Sequence, residues 1–235
     1  MRKINLLLLS ILGSMLYNNA NAQTCPDNNH PHMIDLGLPT GALWACCNVG
    51  ATKPEEYGGY FAWGETEEKG TYITEKQYDS IAHNIPGEGV LFSLKPNYDV
   101  AHVKWGDEWL MPTLYHFMEL IDNCKYEWTT INGIKGGKFI GPNGGCIFLP
   151  AAGIHGDRLG GINMGGSYWS SSSLNSGKGE AFPVIFGDGD IVYNILDFKT
   201  RYGLSVRPIV KKLNYKDVCP DKFQEYSPDK FDDYK

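Results

Sequence analysis

The second half of the chain is broken into pieces too short to fold alone, and this limits its architecture more than any other feature. Residues 138–140, 146–149, 181–186, 190–193 and 204–209 are short runs of β-type composition, separated by glycine-rich turns such as Gly141-Pro142-Asn143-Gly144 and Gly187-Asp188-Gly189. Such runs must pair into small antiparallel sheets over a shared core. Residues 42–49 read as a further strand. Two helix candidates precede most of these strands: residues 99–103, and residues 112–124 with Thr113 as N-cap and Leu114, Phe117, Leu120 and Ile121 on one apolar face. Helices early and strands late imply an α+β domain with long loops.

At the N-terminus, Arg2 and Lys3 precede an uncharged apolar run over residues 4–17, which leads to the small residues of Ala20-Asn21-Ala22. That is the build of a cleaved signal peptide, too short and too interrupted to cross a bilayer. The expected organisation is therefore a signal peptide over residues 1–22, one domain over 23–210 and a charged tail over 211–235. A secreted or cell-surface location follows. Lipid attachment at Cys25 is the lesser alternative, because Gln23-Thr24 is a poor approach to an acylation site. The tail carries a polar repeat, in which residues 219–226 are echoed by 227–234. With a net charge of -6 and acids and bases interspersed, the chain has no basic face for nucleic acid. All six cysteines lie beyond the signal, an even set for an oxidising compartment, although the sequence alone does not fix their pairing. Side chains alternate along a strand, so Cys46 and Cys47 are expected to point to opposite faces and to take different partners.

Longer motifs add a resemblance. Residues 34–41 (Ile-Asp-Leu-Gly-Leu-Pro-Thr-Gly), Leu43-Trp44-Ala45, Asn48-Val49-Gly50-Ala51 and Tyr60-Phe61-Ala62-Trp63-Gly64-Glu65-Thr66 are followed by Met111-Pro112-Thr113 and Trp128-Thr129-Thr130. Further on come residues 147–153 (Ile-Phe-Leu-Pro-Ala-Ala-Gly), Tyr168-Trp169-Ser170-Ser171-Ser172 and Ser205-Val206-Arg207-Pro208. In this order they closely resemble the Fibrobacter succinogenes major paralogous domain, a family that looks like a branch of the C-type-lectin-like fold. The resemblance implies two helices, small sheets, a loop-rich face and termini that lie close together. It also implies disulfides. The family commonly has cysteines at the positions of Cys47 and Cys124, which suggests one pair. Cys46 and Cys146 stand where the family has small hydroxyl residues, which suggests a second, and close termini fit Cys25–Cys219. Leu110 departs from the family's arginine, so Arg207 and Glu119 must be accommodated without it. Residues 69–96 match least and read as a variable loop.

No catalytic constellation emerges. Ser170–Ser173 resemble the family's structural serine run rather than a nucleophile elbow, and Glu55, Glu56, Glu65 and Glu119 have no spacing that sets a catalytic pair. The related formylglycine-generating enzymes need a late reactive cysteine pair, whereas Cys219 here is single. His30 and His32 flank Pro31 in a polar lead and read as an exposed pair; HExxH and paired CxxC spacings do not occur. No cofactor is expected, with calcium at Asp188-Gly189-Asp190 only a weak possibility. The expected function is non-catalytic recognition of an extracellular protein or glycan through late loops. Asn175, Asp188, Asp190, Tyr193, Asn194, Asp197, Lys199, Arg201 and Tyr202 are the candidate contacts. The alternative is a structural or assembly component of a bacterial surface appendage. Because the tail is too polar to belong to a core, a chain ended after Val210 should still fold, with a lower melting temperature from the loss of Cys219; circular dichroism and thermal melting of that truncation check this.

Overall fold

A computed structural model describes residues 29–72, 91–174, 181–189, 191–192 and 199–211. The signal segment, the tail, Cys25 and Cys219 lie outside the described residues, as do the candidate contacts Asn175, Asp190, Tyr193, Asn194 and Asp197. Both expected helices form, each starting just after the side chain that caps it. Asp99 accepts from the Ala101 and His102 amides to open α1 (Val100–Trp105), and its second oxygen accepts from Met111 N at 2.8 Å. The cap thereby fixes β4 (Trp109–Leu110) to the helix it starts. Thr113 caps α2 (Leu114–Asn123) in a reciprocal box with His116. Leu114, Phe117 and Leu120 are buried as the apolar periodicity requires, but Ile121 is only half-buried, and His116 and Glu119 are buried beside them. Glu119 accepts from the Thr40 amide at 2.7 Å and from its hydroxyl at 2.6 Å, which ties α2 to the turn before β2 (Leu43–Ala45).

The strands form small antiparallel sheets, and the fold is α+β. One four-stranded sheet runs β1 (Met33–Asp35), β2, β13 (Ile209–Val210), β4, so the last strand of the described body lies between β2 and β4. A second runs β12 (Ile191–Val192), β11 (Ala181–Gly187), β10 (Gly165–Leu174), β3 (Leu91–Ser93). Three strands, β5 (Lys125–Ile131), β6 (Ile134–Ile140) and β7 (Cys146–Pro150), make a meander, and β8 (Ile154–His155) pairs with β9 (Leu159–Gly160). The longest strand, β10, was not expected. Its Ser170–Ser173 are buried, with Ser170 Oγ donating to Phe182 O at 2.6 Å and Ser172 Oγ accepting from Leu114 N at 3.1 Å. Around them sit two apolar clusters, one on Trp44, Phe117, Tyr168 and Phe186, the other on Trp63, Trp109 and Trp169.

The strand expected over residues 42–49 stops at Ala45, because a side chain replaces its ladder. Arg207 is fully buried. Its Nη1 donates to the carbonyls of Ala45 and Cys46, its Nε to Asn48 Oδ1 at 2.8 Å and its Nη2 to Phe148 O at 2.9 Å. The chain bends at Cys46-Cys47 instead of continuing extended. This bend removes the alternation expected of the two cysteines. The bridges Cys47–Cys124 and Cys46–Cys146 are not formed: Cys46 and Cys47 are turned toward the segment before β1, while Cys124 ends α2 and Cys146 opens β7. Leu110, in place of the expected arginine, is the β4 partner of Ile209.

Burial lowers the His116 pKa from 6.5 to about 3, and the Thr113 amide donates to its Nδ1, which requires that nitrogen to be unprotonated. The unfolded chain takes up this proton near pH 6.5, whereas the folded chain resists it until about pH 3. The corresponding stability is complete above pH 6.5 and lost as the pH falls through that window. Burial raises the pKa of Asp99 and Glu119, whose contributions run in the opposite direction. Denaturant unfolding over this range should therefore show a flatter acid loss in His116→Gln, which keeps a capping-box side chain, than in the unaltered protein.

Candidate functional site

Of the expected contacts, Lys199, Arg201 and Tyr202 come together in one turn, closed by Tyr202 N donating to Lys199 O at 3.2 Å. The turn is clamped on both sides. Trp63 N donates to Thr200 O at 2.9 Å, and Gly203 exchanges both backbone hydrogen bonds with His155, each at 2.9 Å. The half-buried Tyr202 ring lies against Gly156, and the Arg201 guanidinium sits 5.3 Å from the centre of that ring. A planar cation against an aromatic face favours this arrangement.

Beneath the turn is an aromatic floor that sequence reasoning missed. The His155 ring meets Tyr60 and Tyr72 edge-on, at centroid distances of 5.6 and 5.1 Å. Its Nδ1 lies 3.1 Å from the Gly156 carbonyl and is therefore the protonated nitrogen. Tyr60 donates to Ala152 O at 2.7 Å, and Tyr72 donates to Tyr60 O while accepting from Lys69 N. Burial raises the pKa of Tyr72, which stays a neutral phenol donor at ordinary pH. Tyr72 belongs to the stretch that matched the family least, so no motif marked it. His155 and the exposed Arg158 follow a matched motif but carry no pattern of their own.

Asp188 is exposed on the turn after β11, on a different support. Tyr126 donates to Gly187 O at 2.6 Å, and its own pKa is pushed up to about 12 by burial and by the neighbouring Asp188 carboxylate. The expected face is thus split between a β8–β9 side and a β5 side among the described residues. The enzyme-like candidates are dispersed. Glu56 accepts from Thr52, Glu65 pairs with Lys69 and Glu119 is held by Thr40. His102 points Nε2 toward exposed Asp107 at 3.6 Å, and its buried Nδ1 has no hydrogen-bond partner among the described residues.

His30 and His32 are not the exposed pair expected. Both are half-buried against Cys46, whose thiol pKa is lowered to about 4, first by a hydrogen bond from Cys47 and then, against the effect of burial, by His30 and His32. No protein-family model, no curated protein and no solved structure matches the chain.

The Tyr202 turn depends on the absence of a side chain at Gly203. A Cβ there would lie 2.8 Å from the Tyr72 ring and 3.1 Å from Tyr60 Cβ. Gly203→Ala should destabilise the protein by about 1–3 kcal/mol through overpacking, measured by denaturant unfolding, and should disturb the environment of the Tyr72 ring in near-ultraviolet circular dichroism.

Proposed function

We propose that this chain is a secreted or surface-exposed, non-catalytic recognition module. In this reading it is a member of the paralogous domain family it resembles, with a C-type-lectin-like fold, and it binds an extracellular glycan or protein. The observation that carries the reading is the clamped turn over residues 199–203. Tyrosine and arginine give large contact area for little lost freedom when their backbone is already fixed. Tyr202 and Arg201 are held by backbone bonds on two sides and by an aromatic floor beneath. The Gly156-Asp157-Arg158 hairpin tip flanks Tyr202 and adds polar groups to the same surface.

Several features support the secreted and lectin-like parts of the reading. The N-terminal sequence has the build of a signal peptide, and none of the described helices is long and apolar enough to cross a membrane. The pairing of β2 with β13 accords with the close termini of that fold class. Buried, backbone-bonded serines in β10 favour a structural role for the serine run over a nucleophilic one.

The test is a glycan array together with capture of surface proteins, using the mature chain from Gln23. A binder found this way should lose at least about tenfold in affinity with the pair Arg201→Ala and Tyr202→Ala, a truncation effect of hot-spot size, while far-ultraviolet circular dichroism is unchanged. Undiminished binding by the folded variant would move the recognition face elsewhere.

A further inference from the structure

The segment before β1 and the bend after β2 bring three metal-ligating side chains into one place, with His32 beside them. His30 Nδ1 is 3.2 Å from Cys46 Sγ, His32 Nδ1 is 3.6 Å from the same sulfur, and the ligand atoms of His30, Cys46 and Cys47 all lie within 4.8 Å of one another. We propose that His30, Cys46 and Cys47, with His32 completing the set, form a site for a thiophilic divalent cation of the zinc class.

The spacing around Cys46 is close to what such an ion requires. Zinc bonds of about 2.3 Å to sulfur and about 2.0–2.1 Å to nitrogen, at tetrahedral angles, place neighbouring ligand atoms roughly 3.3–3.8 Å apart. The contacts at Cys46 fall close to that range. Two thiolates and two neutral imidazoles balance a divalent charge, which suits a site where both sulfurs belong to buried residues. The surroundings are already arranged around the sulfur. His32 N donates to Cys46 Sγ at 3.1 Å, an amide bond that a metal-bound thiolate retains. Cys46 N donates to His32 O at 3.0 Å, and Arg207 holds the Ala45 and Cys46 carbonyls, so the backbone on the cysteine side is fixed before any ion arrives. Binding forms two metal–sulfur bonds and releases to solvent the protons the two sulfurs still carry, chiefly that of the Cys47 thiol, with no change of oxidation state. The ion would join the lead to the four-stranded sheet, and it would take the two cysteines out of the disulfide pairings that the family resemblance implies.

The mature chain, reduced and freed of metal, is titrated with Co2+ and then with Zn2+. One Co2+ per chain should produce a thiolate-to-cobalt charge-transfer band with the intensity of tetrahedral coordination, and Zn2+ should displace it and raise the melting temperature. Cys46→Ser and Cys47→Ser should abolish the band, and His30→Ala, at a half-exposed position, should weaken Co2+ binding by at least about tenfold. Cys124→Ser should leave it unchanged; circular dichroism confirms folding in each case. The proposal is overturned by the absence of a band in the folded, reduced protein, or by an equal loss in Cys124→Ser. It is also overturned if peptide mapping of protein isolated without reductant finds Cys46 or Cys47 in a disulfide.

Discussion

A guanidinium with no exposed surface must meet acceptors in the directions set by its planar fork, and in this chain those acceptors fix the centre of the fold. Arg207 gathers the Ala45 and Cys46 carbonyls, the Asn48 side chain and the Phe148 carbonyl. Asn48 passes the network on, donating to Tyr57 O and to the Tyr168 hydroxyl, which itself donates to Pro150 O. One side chain from the end of the body thus ties together the end of β2, the loop beyond it, β7 and β10. Taking a charge out of water is costly, and only a complete set of well-directed partners offsets the cost. The requirement is exacting in position, and residues 46–48 leave extended geometry to meet it.

Much of what is chemically distinctive follows from that departure. Had β2 run on, Cys46 and Cys47 would project to opposite faces; the bend instead sets their sulfurs near each other and near His30. The same network holds the beginning of β10, whose far end buries four consecutive serines against α2 and β11. In β10 the serines act as small backbone-bonding groups between elements. The buried charges and the buried hydroxyls therefore solve one problem, the satisfaction of polar groups where short strands leave ladder positions open.

The proposed recognition surface sits at the edge of this frame. Residues 199–203 are not part of a long strand, yet each side of the turn is held by isolated backbone bridges, Leu204 to Phe61 and Gly203 to His155. Rigid support beneath half-exposed tips is the arrangement in which loop side chains can change while the packing below does not. Tyr202 and Arg201 occupy the tips; Tyr60, Tyr72 and His155 belong to the support.

Local chemistry was legible in the sequence. The cap at Thr113, the apolar face of Leu114, Phe117 and Leu120 and the β-branched or aromatic runs that became β6, β7 and β11 are set by interactions between residues a few positions apart. The α+β class follows from their order. Asp99 was legible only as the start of a helix; its bond to Met111 depends on how α1 meets β4. The serine strand, the bend at Cys46-Cys47, the meeting of those thiols with His30 and His32, and the aromatic floor under Tyr202 were decided by the tertiary structure alone. Each depends on partners far apart in sequence, such as Arg207 with Ala45 or Gly203 with Tyr72. Periodicity reports which face of an element is apolar; it carries no information about which distant carbonyl a buried guanidinium will claim.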